Sequence, residues 1–227
     1  MKEFNALRNY TQPKEPRYVG PNIRTIENKI IASYRDNRYY DGDRKNGYGG
    51  FKYDDRWEKI VDSMIEDYEL SEKSSLLQIG CEKGFLLHDF HKRFPSMKIN
   101  GVEMSDYAIE HSMPSIKKYI VKTDFNKLPF KDNEFDFIIA IGVIYTLTLR
   151  DAISTLKEIQ RVGKGKSFIT LGAYKDEQSE KMFKSWSVLG CTILHVDDWI
   201  KVLNEARYTG DYHFTTAETL NLVWKEE

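Results

Sequence analysis

Cysteine is scarce in this sequence: Cys81 and Cys191 are the only two among 227 residues. Two cysteines so far apart form neither a disulfide framework nor a metal-ligand motif. The five histidines contain no pair with the spacing of zinc ligands. We therefore expect no metal site, and a reducing compartment, the cytoplasm, is the simplest setting for the protein.

Long hydrophobic runs are also missing. The longest apolar run, residues 137–145, is too short to span a bilayer. The N-terminal stretch MKEFNALRNYTQPKEPRY is polar and lacks the apolar centre of a signal peptide. These absences predict a cytoplasmic protein without a membrane span.

The chain has no excess of either charge, since its formal net charge is −1. Nucleic-acid binding usually leaves a basic footprint, so nucleic acid is not expected as the main partner, although a local basic groove is compatible with this composition. With 41% hydrophobic and 30% charged residues, the composition is that of a soluble globular fold. The length suits one large domain or a domain with an appendage.

Short apolar runs alternate with helical patterns between residues 75 and 171. The runs at 76–79, 97–102, 119–121, 137–141 and 167–171 predict strands, and the segments between several of them have helical spacing. Ser105 and Asp151 could cap two of these helices. Such alternation predicts a doubly wound parallel α/β sheet. In these sheets ligands bind beyond the carboxyl ends of the strands.

The segments outside this core predict additions to it. Residues 1 to about 20 read as a loose arm containing Pro13, and residues 22–34 as a short helix. The stretch YYDGDRKNGYGGFKYDDRW, residues 39–57, is too rich in glycine and charge for a regular element. A helix with one apolar face begins at Trp57. We therefore predict an N-terminal arm, loop and helical cap over residues 1–72.

The C-terminal part predicts a domain over residues 73–227 with an insertion at about 173–195. Residues 177–186 read as a helix, and Asp197 could cap another. Residues 212–215 and 220–224 read as two strands paired around a turn.

The stretch LLQIGCEKGF, residues 76–85, joins the first predicted strand of the core to a helix. A dinucleotide fingerprint requires G-x-G-x-x-G, but Glu82 and Phe85 occupy the second and third glycine places. The turn is therefore either a plain connection or the cradle of a different ligand.

Two acidic residues follow the next strand ends. Glu103, in GVEMS, can accept two hydrogen bonds from a ribose diol, or it can simply lie near a helix N-terminus. Asp124, in TDFNKLPF, can accept from an adenine amino group while Phe125 covers the ring, or it can form an Asx-turn. The order and spacing of the three motifs favour the ligand-binding interpretation.

These motifs together resemble class I S-adenosylmethionine-dependent methyltransferases. The resemblance covers residues 75–172 through LLQIGCEKG, VEMS and TDFNKLPFKDNEFDFIIAIGVIYTL. It implies a Rossmann-like, seven-stranded, mostly parallel sheet, here with an N-terminal helical cap. It also implies that a final hairpin, about 211–225, supplies an antiparallel strand.

The resemblance implies S-adenosylmethionine as the cofactor and assigns residues to it by position. Glu103 would hold the ribose hydroxyls, and Ile141 would lie by the sulfonium. The other residues implied to bind the cofactor are Gln78, Gly80, Cys81, Gly84, Met104, Asp124 and Phe125.

Two positions depart from the family pattern. Gln78 stands where an acid is usual, so the methionine ammonium would be contacted differently. Glu82 fills a place that is usually small. Its carboxylate points either outward at the helix start, which we favour, or inward to compensate for the missing acid.

Catalytic and acceptor-binding candidates lie outside the motifs. Tyr145, four residues beyond Ile141, could orient the acceptor or take part in proton transfer, or could be a partly buried structural tyrosine. His195 is a weak candidate base. The glycine-rich loop could close over the cofactor and bind the acceptor, or could merely pack the helix that follows it. Its candidate residues are Tyr40, Tyr48, Lys52, Tyr53 and Arg56.

The function that these patterns favour is methyl transfer to a small-molecule acceptor. The full-length pattern, including ARYTGDYHF, resembles methyltransferases of surface-polysaccharide biosynthesis, which implies a sugar or sugar-linked acceptor. The alternative is a catalytically inactive regulatory or partner subunit that binds the same cofactor. A nicotinamide oxidoreductase is disfavoured by the failed glycine spacing.

Overall fold

One parallel β-sheet organises the described part of the chain, residues 1–11 and 15–226 of a computed structural model. The strands are β1 (Lys2–Glu3), β2 (Arg17–Val19), β3 (Ser75–Ile79), β4 (Lys98–Glu103), β5 (Ile120–Lys122), β6 (Phe135–Ala140), β7 (Gly163–Tyr174), β8 (Leu194–His195), β9 (Asp211–Thr215) and β10 (Leu222–Trp224). The helices are α1 (Ile26–Ser33), α2 (Asn37–Tyr40), α3 (Glu58–Asp67), α4 (Phe85–Arg93), α5 (Asp106–Glu110), α6 (Leu149–Val162), α7 (Glu177–Trp186) and α8 (Val196–Glu205). Short 3-10 helices cover Arg44–Asn46, Lys117–Tyr119 and Ile144–Thr146.

The main sheet has the strand order β1-β9-β7-β6-β3-β4-β5, and β8 adds to β7. Its pairings among the described residues are parallel, for example Gln78 opposite Gly101 and Gln78 opposite Ile139. The chain runs from β3 outward to β5 and then returns to β6 on the other side of β3. This reversal creates a crevice at the carboxyl ends of β3 and β6, which is where such sheets bind ligands. The predicted doubly wound, seven-stranded fold is confirmed.

Apolar layers cover both faces of the sheet. Leu77 and Ile79 of β3 belong to one cluster, whereas Leu76 belongs to the other. Successive side chains of a strand point to opposite faces, so a strand buried on both sides is apolar throughout. On the second face, Ile60 and Met64 of α3 are fully buried, as their helical spacing predicts. Each such side chain contributes roughly 1.5–3 kcal/mol to stability.

The predicted C-terminal antiparallel hairpin is wrong. Strand β9 pairs with β7 in parallel, with Phe168 opposite Asp211, and β10 leaves the main sheet to pair in parallel with β2. Residues 216–221 form hydrogen-bonded turns, in which the Leu220 amide donates to Thr216 and the Leu222 amide to Ala217. A connection of this kind is not the tight turn that folds two strands back on each other, so each strand finds a different partner.

The N-terminal arm is partly ordered, which the sequence did not predict. Strand β1 pairs with β9 at the edge of the main sheet, and β2 pairs with β10. Residues 12–14, which include Pro13, lie outside the described residues. Residues 39–57 also contain regular pieces, the end of α2 and one 3-10 helix, although most of that segment is irregular. The division of the chain near residue 72 stays a prediction.

Three helix N-termini test the predicted caps. The Ser105 side chain accepts from the Ala108 amide at 3.1 Å, which confirms this cap of α5. Helix α6 is capped by Thr148 rather than Asp151, and α8 by His195 rather than Asp197. Both acids lie in the first turn of their helices, where a negative charge interacts favourably with the helix dipole.

Candidate functional site

The turn after β3 requires glycine at both of its ends. Gly80 has φ +64° and Gly84 has φ +75°, values that favour glycine. A Cβ at Gly80 would lie 2.4 Å from Val143 Cγ2, and one at Gly84 would lie 2.2 Å from Ile116 Cδ1. The backbone of this glycine turn, residues 80–84, therefore packs too closely against its neighbours for any side chain at these two positions. It leads directly into α4 at Phe85.

Glu103, at the carboxyl end of β4, is 1% exposed and fastens the glycine turn to the neighbouring loop. Its Oε2 accepts from the Glu82 amide at 2.9 Å, and its Oε1 accepts from the amides of Met104 and Ser105 at 2.8 and 2.9 Å. A carboxylate offers about four acceptor positions, so capacity for a ligand hydroxyl remains. Burial among backbone donors distinguishes Glu103 from a surface acid near a helix start.

Two buried polar atoms near this turn have no hydrogen-bond partner among the described residues: Gln78 Oε1 in β3 and the Tyr40 hydroxyl in α2. Buried polar groups are normally paired, because an unpaired one costs about 1–3 kcal/mol. Burial raises the pKa of Tyr40, and the negative charges of Glu82 and Glu103 raise it further. The Tyr40 ring stacks on Tyr48, whose hydroxyl donates to Glu82. The site thus offers polar atoms that a ligand can satisfy, and its residues fit a cofactor with a polar amino-acid end and a ribose.

Glu82 does not point outward, so the orientation that we favoured from the sequence is wrong. It adopts φ +52°, is partly buried, and its Oε1 accepts a hydrogen bond from the Tyr48 hydroxyl at 2.9 Å. Burial and the nearby Glu103 charge raise the pKa of Glu82 to about 8, while Tyr48, Arg35 and Lys83 act in the opposite direction. The cap loop, residues 36–57, supplies the tyrosine and decides the direction of this carboxylate.

Lys83 holds the cap loop over the glycine turn. Its Nζ donates to both carboxylate oxygens of Asp41, at 2.8 and 2.6 Å, and to the Phe51 carbonyl at 3.0 Å. The Tyr107 hydroxyl donates to Asp41 as well, at 2.8 Å. Sequence reasoning missed Lys83 and Asp41 in this role; a lysine inside the glycine turn was the available signal.

The structure brings two of the five acceptor-binding candidates to the turn. Tyr40 and Tyr48 lie over it, with their rings stacked at a centroid distance of 6.4 Å. Tyr53 instead donates to Asp89 of α4 at 2.6 Å. Arg56 pairs with Asp54 and also donates to the Tyr10 hydroxyl, and Lys52 is exposed. The first two candidates therefore share one cluster with Glu82, whereas the other three face different parts of the surface.

The residues predicted for the adenine side lie at the ends of β4 and β5. Met104 is partly buried and Asp124 is exposed, so both are accessible beyond the strand ends. Phe125 is only 3% exposed and packs in the main apolar cluster. Cys81 is buried as well, and burial raises the pKa of its thiol.

Open space lies at the carboxyl end of β6. Ile141 is partly buried there, and Gly142 follows it with φ +70°. A Cβ built on Gly142 has no neighbour within 4 Å. The strand therefore ends beside a gap on the side where the crevice of the sheet opens.

Tyr145 lies in the 3-10 helix after β6 and is 9% exposed. Burial, together with the Glu82 charge, raises the pKa of Tyr145 to about 12, although Arg35 and Arg24 lower it. The phenol is therefore neutral at pH 7 and can orient a bound group by hydrogen bonding. It is poorly suited to remove a proton.

His195 has a structural position at the start of α8. Its Nδ1 accepts from the Asp197 amide at 3.2 Å, and its Nε2 donates to the Lys175 carbonyl at 3.2 Å. Both ring nitrogens are thus engaged, and a role as base would require one of these hydrogen bonds to break. No contact within the described residues joins His195 to Glu82 or Glu103.

The comparisons with known proteins agree with this geometry. Residues 77–171 match the family model described as a methyltransferase domain. The chain is similar to sterol 4-C-methyltransferase strm-1 of Caenorhabditis elegans, with 30% identity over 59% of this chain and 41% of the relative. It is also similar to cycloartenol-C-24-methyltransferase of Arabidopsis thaliana, with 30% identity over 61% of this chain and 47% of the relative.

The fold also matches a solved structure. The YcgJ protein from Bacillus subtilis superposes with a TM-score of 0.54 at 16% identity, over 64% of this chain and 66% of that chain. This chain spans less than half the length of the two curated relatives. The superposition shows that the two chains share a fold, and the family-model match shows that residues 77–171 are similar to a methyltransferase domain.

No helix within residues 1–11 and 15–226 is long and apolar enough to cross a membrane. No group of three or more histidine, cysteine, aspartate or glutamate side chains in that part of the chain is arranged to hold a metal ion.

Substitution of the site glycines by alanine separates packing from ligand binding. We expect Gly80→Ala to lower the free energy of unfolding by about 2 kcal/mol or more, because left-handed strain and overpacking against Val143 act together. Gly142→Ala adds only left-handed strain, about 1 kcal/mol, since its methyl meets open space. Urea unfolding checks both values, and equal losses for the two variants would contradict the close packing at Gly80.

Proposed function

We propose that this chain transfers a methyl group from S-adenosylmethionine to a small-molecule acceptor held under the cap loop. The observation that carries the proposal is Glu103, a buried carboxylate that joins the glycine turn to the next strand end. The methyltransferase match over residues 77–171 supports it. The match covers less than half of each curated relative, so the proposal is limited to what this chain does.

The residues that would hold the cofactor follow from the site. The Glu103 carboxylate would accept from the ribose hydroxyls, and the glycine turn would lie along the methionine half. Gln78 Oε1, which lacks a partner, would accept from the methionine ammonium in place of the usual acid. When bound, the cofactor supplies a methyl group already activated by a positive sulfur. The protein therefore needs mainly to align the acceptor and exclude water.

The cap loop would provide that exclusion. The ion pair between the buried Lys83 and Asp41 fastens the loop. Stacked aromatic rings fasten it as well, and the ring centroids of Tyr48 and Phe51 are 4.4 Å apart. Glycines 49 and 50, at φ +68° and +79°, provide a turn within the loop. Opening would require the Lys83 contacts to break, which gives the acceptor a route to Tyr145.

A hydroxyl acceptor would need a base, and Glu82 is the carboxylate best suited to this role. It lies under the cap loop, is held by Tyr48, and its pKa of about 8 is close to that of an efficient base at neutral pH. Tyr145 would orient the acceptor beside it.

The surroundings of Tyr145 favour a polar acceptor. The Tyr145 ring packs against Phe183 in the apolar cluster, whereas the charges of Glu82, Arg35 and Arg24 all act on the ionisation of its hydroxyl. A sugar or sugar-linked metabolite, as in surface-polysaccharide biosynthesis, suits such a lining through its hydroxyl groups. The sterol acceptors named for the two curated relatives are largely apolar and suit it less.

Isothermal titration with S-adenosylmethionine, S-adenosylhomocysteine and NAD tests the cofactor assignment. We expect the first two to bind and NAD not to bind. Binding of NAD alone would overturn the proposal. Screening of metabolite extracts with methyl-labelled cofactor then distinguishes an active enzyme from an inactive cofactor-binding subunit, because only the former labels an acceptor.

Glu82→Gln should remove the pH dependence of the reaction on a group with a pKa of about 8. We expect kcat/KM of the wild type to rise through this pKa, and the variant to be slower by about 100-fold or more, since general bases contribute about 10²–10⁴. Affinity for S-adenosylhomocysteine should change little. A large loss of that affinity with an unchanged pH profile would instead show that Glu82 binds the cofactor.

A further inference from the structure

A separate cavity of about 310 Å³ lies where the N-terminal segment meets the cap loop and α7. This volume is at the lower end of the range of small-molecule sites, about 300–1,000 Å³. Arg17 of β2, Arg24 before α1, Arg44 and Lys45 of the cap loop, and Trp186 of α7 contribute to its lining. Four cationic side chains thus surround one space in a chain whose net charge is −1.

The guanidinium groups of this cavity lack acidic partners. No carboxylate in residues 1–11 and 15–226 forms an ion pair with Arg17, Arg24 or Arg44, although many other cations of the described chain are paired. Arg17 Nε is buried and has no hydrogen-bond partner in the part of the chain that the structure describes. Since arginine is always charged and charges are rarely buried unpaired, this arrangement lacks a compensating anion.

The arginines repel one another and are held together by backbone carbonyls. Arg24 donates to the Trp186 carbonyl and, at 3.3 Å, to the Arg44 carbonyl; Arg44 donates to the Tyr48 carbonyl at 3.2 Å. Burial, together with the charges of Arg44 and Arg17, lowers the pKa of Arg24 to about 10. These neutral carbonyls position the guanidinium groups without cancelling their charge, and each group retains unused donors.

The cavity adjoins the proposed methyl-transfer site. The Trp186 ring, which lines the cavity, lies 5.7 Å from the Phe183 ring, and the Phe183 ring lies 5.8 Å from the Tyr145 ring. The Arg44 guanidinium donates to the Tyr48 carbonyl, and the Tyr48 hydroxyl donates to Glu82. A molecule with an anionic group in the cavity could therefore extend towards Tyr145 and Glu82.

We propose that this arginine cavity binds the phosphate group of the methyl acceptor, which makes the acceptor a phosphorylated small molecule. The inference rests on the proposed methyl transfer for the identity of the ligand as an acceptor. Three guanidinium groups suit a phosphate, which carries about two charges and several strong acceptor oxygens, better than a carboxylate. The Trp186 ring, which already lies 5.5 Å from the Arg24 guanidinium, supplies an apolar face for the organic part.

The experiment is isothermal titration of the full chain at low ionic strength with inorganic phosphate, pyrophosphate and glucose 1-phosphate. We expect all three anions to bind, and glucose 1-phosphate to bind at least as tightly as inorganic phosphate. Arg17→Gln, Arg24→Gln and Arg44→Gln should each weaken this binding by about tenfold or more, because each removes charge-assisted hydrogen bonds. The matched control is Arg93→Gln, which removes an exposed arginine paired with Asp62.

Anion binding that is absent, or that falls equally in Arg93→Gln, would overturn the inference. Binding of inorganic phosphate with rejection of glucose 1-phosphate would overturn the acceptor assignment. Arg44 is exposed, so its variant keeps the test valid if the partly buried Arg24 variant fails to fold. S-adenosylhomocysteine titration distinguishes the two proposals. Cofactor binding without anion binding refutes only the arginine cavity. Anion binding without cofactor binding refutes the methyl transfer, and with it the identity of the anion as an acceptor, but not the arginine cavity as an anion site.

Discussion

Glu103→Ala should weaken cofactor binding strongly and destabilise the fold at the same time. The variant leaves the amides of Glu82, Met104 and Ser105 without their acceptor, and unpaired buried donors cost about 1–3 kcal/mol each. It also removes the ribose ligand, for which hydrogen bonds to a charged group imply a loss of about 100-fold in affinity for S-adenosylhomocysteine. Titration and urea unfolding measure the two effects.

The control for this variant is Asp106→Ala, three residues further on. Its carboxylate is 81% exposed and pairs with Lys122 at the surface, a contact that contributes at most about 1 kcal/mol. We expect normal cofactor affinity in the control. Unchanged affinity in Glu103→Ala, measured where the variant is still folded, would refute the ribose role.

Glu82→Gln should make the protein more stable at alkaline pH. The usual pKa of 4.5 for this carboxyl is raised to about 8 in the folded protein. Between these pH values the folded state keeps a proton that the unfolded chain releases, so the free energy of unfolding falls as the pH rises. One pKa unit corresponds to about 1.4 kcal/mol, and we expect the variant to gain roughly 2–4 kcal/mol over the wild type at pH 9.

The sign and the window of this effect are both testable. Below pH 4.5 Glu82 is protonated in both states and contributes no pH dependence; above pH 8 the full penalty is present. Urea unfolding of the wild type, Glu82→Gln and Glu69→Gln from pH 4 to pH 9 isolates the contribution of Glu82 to the free energy of unfolding. Glu69→Gln removes an exposed carboxylate, 84% accessible, and serves as the control. A wild-type minus Glu82→Gln difference that stays constant with pH would show that this carboxylate lies in water.

The charged and titratable groups that face Glu82 come from several elements. Glu103 lies at the end of β4, and Lys83 lies in the glycine turn. Arg35 lies in the segment after α1, and Tyr48 lies in the cap loop. Tyr39, Tyr40 and Tyr145 also interact with its charge. Replacement by glutamine preserves an acceptor for Tyr48, so the comparison changes the charge and little else.

The sequence predicts that the glycine turn and Glu103 meet at one edge of the sheet, because this meeting depends on local pattern and on sheet geometry. Leu76 to Ile79 is an apolar run before glycines, and Glu103 ends the next strand. Carboxyl ends of parallel strands meet at one edge, so the turn and the acid come together whatever else the chain does. Residues separated by one βαβ unit have few alternative arrangements.

The orientation of Glu82 is decided by contacts from distant parts of the chain. Its carboxylate faces inward because Tyr48, thirty-four positions earlier, donates to it, and because Lys83 holds that loop through Asp41. No periodicity connects these residues. The same reason explains why Tyr53 and Arg56, which stand in the same loop, face other surfaces.

The partners of the last two strands could not be read from their sequence. An apolar run predicts a strand but not which free edge accepts it, and β9 and β10 each join a segment from the opposite end of the chain. The arginine cavity has the same origin, since Arg17, Arg24 and Arg44 come from three segments that only the folded chain brings together.

The sequence by itself thus determined the α/β class, the glycine turn and the acid that follows it, because period, turn chemistry and strand order act over short distances. Only the tertiary structure decided which way Glu82 points, how the cap loop is held, and where three unpaired arginines converge. Those features depend on long-range contacts between irregular segments, and the positions of such segments are fixed by packing rather than by local propensity.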